Sequence, residues 1–173
     1  RTWAAITGLG WIGKNTLLIH PQWGSFLFLA VIFIDQETGR SPQFLKDYCG
    51  ECTRCLEACP TQALVSGHDL DARKCISYLT LEKRGPWEAE FDTAGYLAGC
   101  DICQEVCPFN LKAKKDPARV PQETASHLEL DELRLELETE TQYAARVRGT
   151  ALSRVKYLDF RRNLKAVQTR IKK

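Results

Sequence analysis

The chain has 173 residues, 44% of them hydrophobic and 27% charged, which is the composition of a soluble globular protein and excludes a collagen-like repeat or disorder throughout. Its formal charge of +2 conceals an uneven distribution. Residues 123–140 contain seven acidic residues and one basic residue, whereas residues 141–173 contain ten basic residues and one Asp. We therefore expect an electropositive module at the end of the chain.

Residues 2–35 are apolar and interrupted by glycines. Residues 25–35 have the length and the aromatic and β-branched content of a central strand that is buried on both faces. Such a strand needs neighbours on both sides, and residues 3–7 are the one short strand candidate before it. We therefore expect the domain to be incomplete on its N-terminal side. No apolar run reaches the roughly 20 residues of a membrane-spanning helix.

The glycines at positions 8, 10 and 13 match the dinucleotide-binding pattern G-x-G-x-x-G, and Asp35 follows at the distance of a ribose-binding acid. The same stretch matches the phosphate-binding pattern G-x-x-x-x-G-K, but Asn15 stands where a Ser or Thr must bind Mg²⁺. A parallel strand pair needs a crossover helix, and the proline and glycine within residues 20–24 leave only residues 14–19 for it. We expect instead a tight glycine loop packed against a strand, which permits close approach of a flat ligand or of neighbouring backbone.

All eight cysteines lie between positions 49 and 107, and seven of them form two ferredoxin-type runs. The first run, C-x2-C-x2-C-x3-C-P, is complete, and the second lacks its first cysteine, where Leu97 stands. In two-cluster ferredoxins the fourth cysteine of each run binds the other cluster. Cys75 is the one thiol outside both runs, and we expect it to replace the missing ligand. The first predicted ligand set is Cys49, Cys52, Cys55 and Cys107, and the second is Cys59, Cys75, Cys100 and Cys103.

Zinc and disulfides are the alternatives to iron-sulfur clusters. Zinc usually accounts for two well-separated C-x2-C pairs, but four cysteines within eleven residues and two Cys-Pro endings favour two 4Fe-4S clusters. Disulfides are typical of small secreted domains, whereas this chain is long enough to bury a core without them and starts without a signal sequence. The bunched thiols predict a reducing compartment, and we expect a cytoplasmic protein.

Helical patterns occur within and after the cysteine-rich block. Residues 71–82 are predicted to contain a helix, whereas the leucines of residues 128–137 mix spacings of two and three and leave helix and strand open. Residues 150–173 carry apolar residues at mostly helical spacing among Arg and Lys, which predicts one or two basic amphipathic helices. His20, His68 and His127 lie in predicted turns or polar loops, and we expect them at the surface rather than among metal ligands.

Several blocks of the chain resemble those of epoxyqueuosine reductases, cobalamin-dependent iron-sulfur enzymes that complete queuosine synthesis in tRNA. The cysteine runs occur in many ferredoxin-like domains and are weakly specific. Three other blocks are specific: Gly-Trp-Ile-Gly-Lys-Asn at 10–15, Trp-Gly-Ser at 23–25 and Cys-Ile-Ser-Tyr-Leu-Thr at 75–80. The resemblance extends over nearly the whole chain, and Arg-Arg-Asn-Leu-Lys at 161–165 resembles the start of the family's HEAT-like helical repeat.

The resemblance implies an α+β fold in three segments. Residues 1–47 would form the C-terminal part of a cobalamin-binding domain, as a partial α/β lead-in. Residues 48–117 would form a ferredoxin-like domain with two 4Fe-4S clusters, and residues 118–173 a basic, α-helical, HEAT-like segment.

The same resemblance implies an oxidoreductase that reduces epoxyqueuosine to queuosine at the wobble position of tRNA. Electrons would pass through both clusters to cobalamin. The epoxide oxygen would leave as an alkoxide and so needs a general acid, which in the family is an Asp shortly before the position that corresponds to Arg1. This chain does not contain that Asp, and we expect it to be inactive on its own.

The family pattern also implies cofactor and substrate contacts. Those with the corrin would be made by Ile19, Ala30, Ile102 and Cys103. Lys14 is expected to be a solvated or loop-pinning lysine rather than to contact the cofactor. A basic helix supplies phosphate contacts that position tRNA without reading its sequence. The residues expected to make such contacts are Lys83, Arg84, Arg154, Lys156, Arg161, Arg162 and Lys165.

The expected partners are a tRNA with a queuosine-type anticodon and an electron donor such as a flavodoxin or ferredoxin system; we expect a monomer that does not bind membranes. Two alternatives share part of the pattern: a corrinoid reductive dehalogenase and a ferredoxin-type electron-transfer subunit. The basic end of the chain argues against the dehalogenase, because a small neutral organohalide has no phosphates. The apolar lead-in and the basic end argue against the electron-transfer subunit, because a pure electron carrier needs neither.

Overall fold

The computed structural model describes residues 1–88, 91–113 and 132–171. Within them the chain forms two compact units. The first unit contains residues 1–71 and 101–113, and the second contains residues 72–88, 91–100 and 132–171. The described part of the cysteine-rich segment predicted at residues 48–117 is therefore shared between the two units.

Short helices and a few very short strands make up the described residues. In chain order these elements are α1 (Thr2–Ile6), β1 (Trp11–Ile12), β2 (Leu18–Ile19), α2 (Arg54–Ala58), β3 (Leu64–Ser66), β4 (Asp69–Leu70), α3 (Ile76–Leu81), α4 (Ile102–Glu105), α5 (Pro108–Ala113), α6 (Glu132–Leu137), α7 (Glu140–Val147) and α8 (Tyr157–Ile171). Two 3₁₀ turns, Ala72–Lys74 and Ala151–Arg154, precede α3 and α8. The strands of the first unit pair as two antiparallel ribbons, β1 with β2 and β3 with β4.

The hairpin of β1 and β2 contains the glycine motif. Trp11 lies opposite Ile19, and Ile12 lies opposite Leu18. The strands approach so closely that a Cβ atom on Gly10 would overlap the carbonyl oxygen of Ile19. The predicted glycine loop against a strand is thus confirmed, and what lies against it is protein backbone.

Two strands expected from the sequence are absent from the described structure. Most of residues 3–7 lie in helix α1, and residues 26–34 have no regular structure. In place of a buried strand, residues 26–34 form a largely exposed apolar segment, in which Phe28 is 105% and Phe33 87% exposed. A strand buried on both faces needs hydrogen-bonded neighbours, and the four strands of the described ranges pair only among themselves. The expectation is wrong because strand pairing depends on tertiary structure, which composition does not contain.

A hydrophobic core holds the helices of the second unit together. Its buried residues are Leu135, Tyr143, Val147, Val155, Phe160 and Leu164. Helix α7 begins with a capping box, in which Thr139 and Gln142 each bond the other's backbone N–H. The Tyr143 hydroxyl donates to the carbonyl oxygen of Val155 at 2.9 Å. The amphipathic helices predicted at residues 150–173 are confirmed as the 3₁₀ turn Ala151–Arg154 and helix α8.

The other predicted helices are also found. The helix predicted within residues 71–82 is confirmed as α3, and the leucine-rich stretch that left helix and strand open forms helix α6. The first two leucines of that stretch and His127 lie outside the described residues. His68 lies in a turn and is exposed, as expected, whereas His20 forms an isolated β-bridge with Gly24 and is half-buried. Among the described helices, none has the length and apolar character needed to cross a membrane.

Candidate metal centre

Four cysteines of the first unit border a cavity of about 210 Å³. They are Cys49, Cys52, Cys55 and Cys107, the first predicted ligand set. Cys55 lies in α2 and Cys107 directly precedes α5, so the fold brings together residues that are far apart in the sequence. The remaining walls are formed by Lys14, Asn15, Ile19, Tyr48, Pro108 and Phe109. Four thiols around one cavity are the donor set of a 4Fe-4S cluster, and the residues present fit that group.

All eight cysteines are among the described residues, and none forms a disulfide. Within the described ranges no three His, Cys, Asp or Glu side chains are close enough to hold a single metal ion. A cubane cluster does not require its ligands to converge on one ion, because each thiolate binds a different iron. Four sulfurs around one cavity are therefore suited to a cluster.

Hydrogen bonds hold the loop that carries Cys49 and Cys52. The backbone N–H of Cys49 donates to Asp47 Oδ1 at 2.7 Å, and that of Cys52 donates to the carbonyl oxygen of Cys49 at 3.0 Å. The Lys14 ammonium donates to the carbonyl oxygen of Gly50 at 2.5 Å. Gly50 has a φ of 51°, in the left-handed region that favours glycine. Lys14 therefore pins the loop that carries Cys49 and Cys52.

The indole of Trp11 lies beside this loop. Its Nε1–H donates to Cys49 Sγ at 3.5 Å. The ring centroid is 5.0 Å from that of Tyr48 and 4.7 Å from that of Phe109, and the residue is 3% exposed. Trp11 was not among the predicted site residues, because the recognised motif in this stretch consists of the glycines around it. Its place in a strand between two of those glycines is the signal that could have found it.

Burial and hydrogen bonding act in opposite directions on the cysteines of the cavity. Burial raises the pKa of Cys49, while hydrogen bonds from Trp11 and from the backbone of Lys14 act to lower it. Burial also raises the pKa of Cys55, and the nearby Cys49 adds to the effect. Metal ligation requires thiolates, so loading this cavity would release protons.

A buried amide joins the Trp-Gly-Ser block to helix α5. Asn110 is 0% exposed, and its Oδ1 accepts the backbone N–H of Ser25 at 2.6 Å. Its Nδ2 donates to Ser25 Oγ at 2.9 Å and to the carbonyl oxygen of Gln104 at 2.8 Å. Gly24 has a φ of 69°, and a Cβ atom there would overlap Asn110 Oδ1. The Trp-Gly-Ser block is recognisable in the sequence, whereas Asn110 was not among the predicted site residues because no motif or spacing marks it.

The second predicted ligand set is divided between the units. Cys59 and Cys103 belong to the first unit, and Cys75 and Cys100 to the second. Helix α4, which carries Cys103, packs against α2 within the first unit. There the side-chain amide of Asn15 donates to the carbonyl oxygen of Cys103 at 3.4 Å. In the second unit Cys75 directly precedes α3.

Several donors surround the sulfur of Cys59. The backbone N–H of Ala63 donates to it at 3.3 Å, and the Thr61 hydroxyl lies 3.7 Å away. Burial acts to raise the pKa of Cys59, but hydrogen bonds from the backbone of Leu64 and the side chain of Thr61 outweigh it, and the pKa is lowered. These donors stabilise the thiolate, the form that binds metal.

The residues expected near a corrin differ in accessibility. Ile19 is 1% exposed, so its side chain is enclosed by protein. Ala30 is exposed, and Ile102 and Cys103 are half-buried.

Arg162, expected to contact tRNA, is tied to backbone carbonyls of the second unit. Its side chain is 14% exposed. It donates to the carbonyl oxygens of Leu79 at 2.9 Å and Lys83 at 3.2 Å, and also to that of Gly85. The guanidinium lies 4.7 Å from the ring centroid of Trp87. Arg162 therefore fastens the segment after α3 to α8.

Two other arginines of the expected tRNA-binding set also bond the protein itself. Arg161 donates to the carbonyl oxygens of Leu135 at 2.9 Å and Glu136 at 2.7 Å. Arg84 donates to the carbonyl oxygen of Arg154 at 2.7 Å, and its guanidinium lies 3.4 Å from a carboxylate oxygen of Asp159.

The remaining members of the set have more accessible charges. Lys156 and Lys165 are exposed on or beside α8. Arg154 is exposed and forms a 2.8 Å ion pair with Glu82, and Lys83 is half-buried, 3.9 Å from Glu88.

Comparison with known proteins identifies the domain type of the cysteine-rich block. Residues 48–110 match the family model of the 4Fe-4S double cluster binding domain. Beyond that block, the chain is homologous to epoxyqueuosine reductases, and the resemblance stated from the sequence is confirmed.

The likeness to epoxyqueuosine reductases covers nearly all of this chain. The enzyme of Cyclobacterium marinum is 41% identical over 172 residues, which are 97% of this chain and 54% of the relative. That of Synechocystis is 41% identical over 173 residues, 96% of this chain and 58% of the relative. The chain therefore spans about half the length of the curated relatives it matches.

Solved structures agree in fold. The epoxyqueuosine reductase of Bacillus subtilis is 30% identical with a TM-score of 0.80, covering 98% of this chain and 45% of that one. An epoxyqueuosine reductase solved with an epoxyqueuosine-modified tyrosine tRNA stem loop is 28% identical with a TM-score of 0.74, covering 99% of this chain and 46% of that one.

Proposed function

We propose that the chain serves the reduction of epoxyqueuosine to queuosine at the wobble position of tRNA. The observation that carries this proposal is the extent of the likeness to epoxyqueuosine reductases, which covers 97% of the chain rather than the cysteine-rich block alone. A likeness confined to the cysteine runs would support only electron transfer, because those runs are common to many ferredoxin-like domains.

Two 4Fe-4S clusters are proposed as the electron path. Cys49, Cys52, Cys55 and Cys107 would hold the first, and their position around one cavity supports this assignment. Sequence spacing assigns the second cluster to Cys59, Cys75, Cys100 and Cys103. The chain's own residues would supply the thiolates, and Lys14 holds the ligand loop. Electrons would arrive from a flavodoxin or ferredoxin system.

Cobalamin is proposed as the final electron acceptor on the basis of the family resemblance. When bound, it supplies a cobalt centre that can be reduced and can then react with an electrophilic carbon. Ala30, Ile102 and Cys103 have accessible surface for such a contact, whereas the side chain of Ile19 is enclosed. The exposure of 1% is that of the whole residue, so the backbone of Ile19 is enclosed too and offers no surface for a corrin contact.

The proposed tRNA surface depends on the basic residues of the second unit. Lys156 and Lys165 are the best candidates, because both are exposed. The guanidinium groups of Arg161 and Arg162 donate hydrogen bonds to backbone carbonyls. Replacement of either residue would therefore disturb the fold as well as any RNA contact. A tRNA substrate and thiolate ligands both suit the cytoplasm, where we place the protein.

Metal analysis tests the clusters. The anaerobically reconstituted chain should be brown and contain about eight irons and eight sulfides. A colourless protein with stoichiometric zinc would contradict the proposal.

Binding of a tRNA anticodon stem loop tests the substrate. Affinity should fall as KCl rises, and Lys156→Gln or Lys165→Gln should each reduce the salt slope by about one. Lys112→Gln, an exposed lysine of α5 outside the proposed set, is the matched control and should leave the slope unchanged. Indifference to tRNA at low salt would favour a dehalogenase-like enzyme or an electron-transfer subunit.

A further inference from the structure

The proposed clusters do not by themselves explain the placement of Trp11. An aromatic side chain could fill the space between Tyr48 and Phe109 without a polar atom. Trp11 instead directs its one hydrogen-bond donor at the sulfur of Cys49, 3.5 Å away. A buried indole N–H needs an acceptor, and here the acceptor is a predicted cluster ligand.

The backbone around Trp11 is fixed on both sides. Trp11 pairs with Ile19 across the hairpin, and a Cβ atom on Gly10 would overlap the Ile19 carbonyl oxygen. A Cβ atom on Gly13 would overlap the Ile19 side chain. The glycines that resemble a nucleotide-binding motif thus permit a close hairpin, which holds the indole in one position.

Two aromatic contacts fix the ring itself. Tyr48 directly precedes Cys49 in the sequence, and Phe109 follows Cys107 by two residues. The ring of Trp11 contacts both, with interplanar angles of 58° to Tyr48 and 74° to Phe109. The indole is therefore held against chain segments from both ends of the first ligand set.

We propose that Trp11 is a positioning residue that sets the reduction potential of the cluster at Cys49, Cys52, Cys55 and Cys107, by donating its indole N–H to Cys49 Sγ. Hydrogen bonds to the sulfurs are among the factors that set the potential of such clusters. Reduction adds negative charge that is shared with the thiolates, so a donor stabilises the reduced state more than the oxidised state. Trp11 thus raises the potential. This inference rests on the proposed function, because it requires a cluster in this cavity.

Redox titration of the full chain, followed by electron paramagnetic resonance, tests the inference. Trp11→Phe keeps a ring between Tyr48 and Phe109 but lacks the N–H. One of the two cluster potentials should fall, and the other should stay as in the unmodified chain. The loss of one ordinary hydrogen bond corresponds to about a tenfold change in the ratio of reduced to oxidised cluster, which is about 59 mV for a one-electron couple.

Trp3→Phe is the matched control, because Trp3 belongs to the same unit and is largely exposed. It should move neither potential. If Trp11→Phe also moved neither potential while the iron content stayed at that of the unmodified chain, the inference would be overturned.

Two further measurements separate the hydrogen bond from packing. Replacing Trp11 by β-(3-benzothienyl)alanine keeps both rings and removes only the N–H, so it should reproduce the lowered potential even if Trp11→Phe fails to fold. In the unmodified chain labelled with ¹⁵N-indole tryptophan, electron-nuclear double resonance of the reduced cluster should detect a nitrogen coupling. A lowered potential without any such coupling would assign the effect to packing and contradict the proposal.

The failures of the two proposals are distinguishable. A chain that binds no iron would refute the cluster assignment and, with it, the proposed function. A chain with eight irons and potentials that do not respond to removal of the N–H would refute only the role of Trp11.

Discussion

Residues 8–25 and residues 26–34 are neighbouring apolar stretches of the first unit, but they are organised differently. In the first stretch, Trp11 and Ile19 are buried against the segments that carry Cys49 and Cys107. In the second, most of the apolar side chains are exposed and no regular structure is formed. Apolar content does not explain the difference, because the exposed stretch 26–34 consists entirely of hydrophobic residues, whereas only seven of the 18 residues in 8–25 are hydrophobic. Hydrogen bonds and close backbone contacts to residues beside the cysteines order the first stretch.

The largest expected effect comes from a methyl group placed in that ordered stretch. Gly24→Ala introduces a Cβ atom that would overlap Asn110, and it also strains a left-handed backbone. We expect a loss of about 4 kcal/mol in the free energy of unfolding, the sum of the strain and the overlap. Gly39→Ala is the matched control, because its φ of 62° is similar and nothing lies within 4 Å of the added atom. Gly39→Ala should lower the free energy of unfolding by about 1 kcal/mol. Denaturant titration measures both variants, and equal losses would contradict the comparison.

Removal of the buried amide should have the next largest effect. Asn110→Ala leaves the backbone N–H of Ser25 and the carbonyl oxygen of Gln104 without this partner. Because buried polar groups without a hydrogen-bond partner are unfavourable, this variant should lose about 3 kcal/mol in the free energy of unfolding. In a double-mutant cycle with Ser25→Ala, the two changes should not be fully additive, because both remove the bond between Asn110 Nδ2 and Ser25 Oγ. Additive losses would show that this bond contributes nothing.

Loss of the pin on the ligand loop should have a smaller effect. Lys14→Met removes the donor to the Gly50 carbonyl oxygen and keeps much of the side chain's bulk. We expect about 1 kcal/mol of destabilisation and faster loss of iron to a chelator, measured by the decay of visible absorbance. Lys112→Met should release iron at the rate of the unmodified chain, and an equal rate for Lys14→Met would contradict the pinning role.

The smallest effect is expected in the exposed stretch. Phe28→Ser alters a fully exposed side chain and should change the free energy of unfolding of this chain by no more than about 0.5 kcal/mol. Phe109→Ser, which removes a ring packed against Trp11, should cost at least about 2 kcal/mol in the same assay. A large loss for Phe28→Ser would mean that residues 26–34 are ordered by contacts other than those described.

Cysteine spacing predicted which four thiols lie together. The local run places Cys49, Cys52 and Cys55, and the fold brings the distant Cys107 to the same cavity. Helix α8 could be predicted from its apolar periodicity. The strand expected at residues 25–35 could not be judged from its own composition, because a strand depends on partners. Asn110 escaped detection for a related reason: its three hydrogen bonds connect positions whose proximity arises only on folding.

Arg162 shows that formal charge at the end of this chain is an imperfect measure of attraction for a polyanion. Its guanidinium is enclosed by backbone carbonyls and the face of the Trp87 indole. Loss of this side chain would therefore destabilise the second unit. Lysines that extend into solvent can exchange their counterions for phosphates at little structural cost. Variants that alter the proposed tRNA surface should therefore change the exposed lysines and keep Arg162.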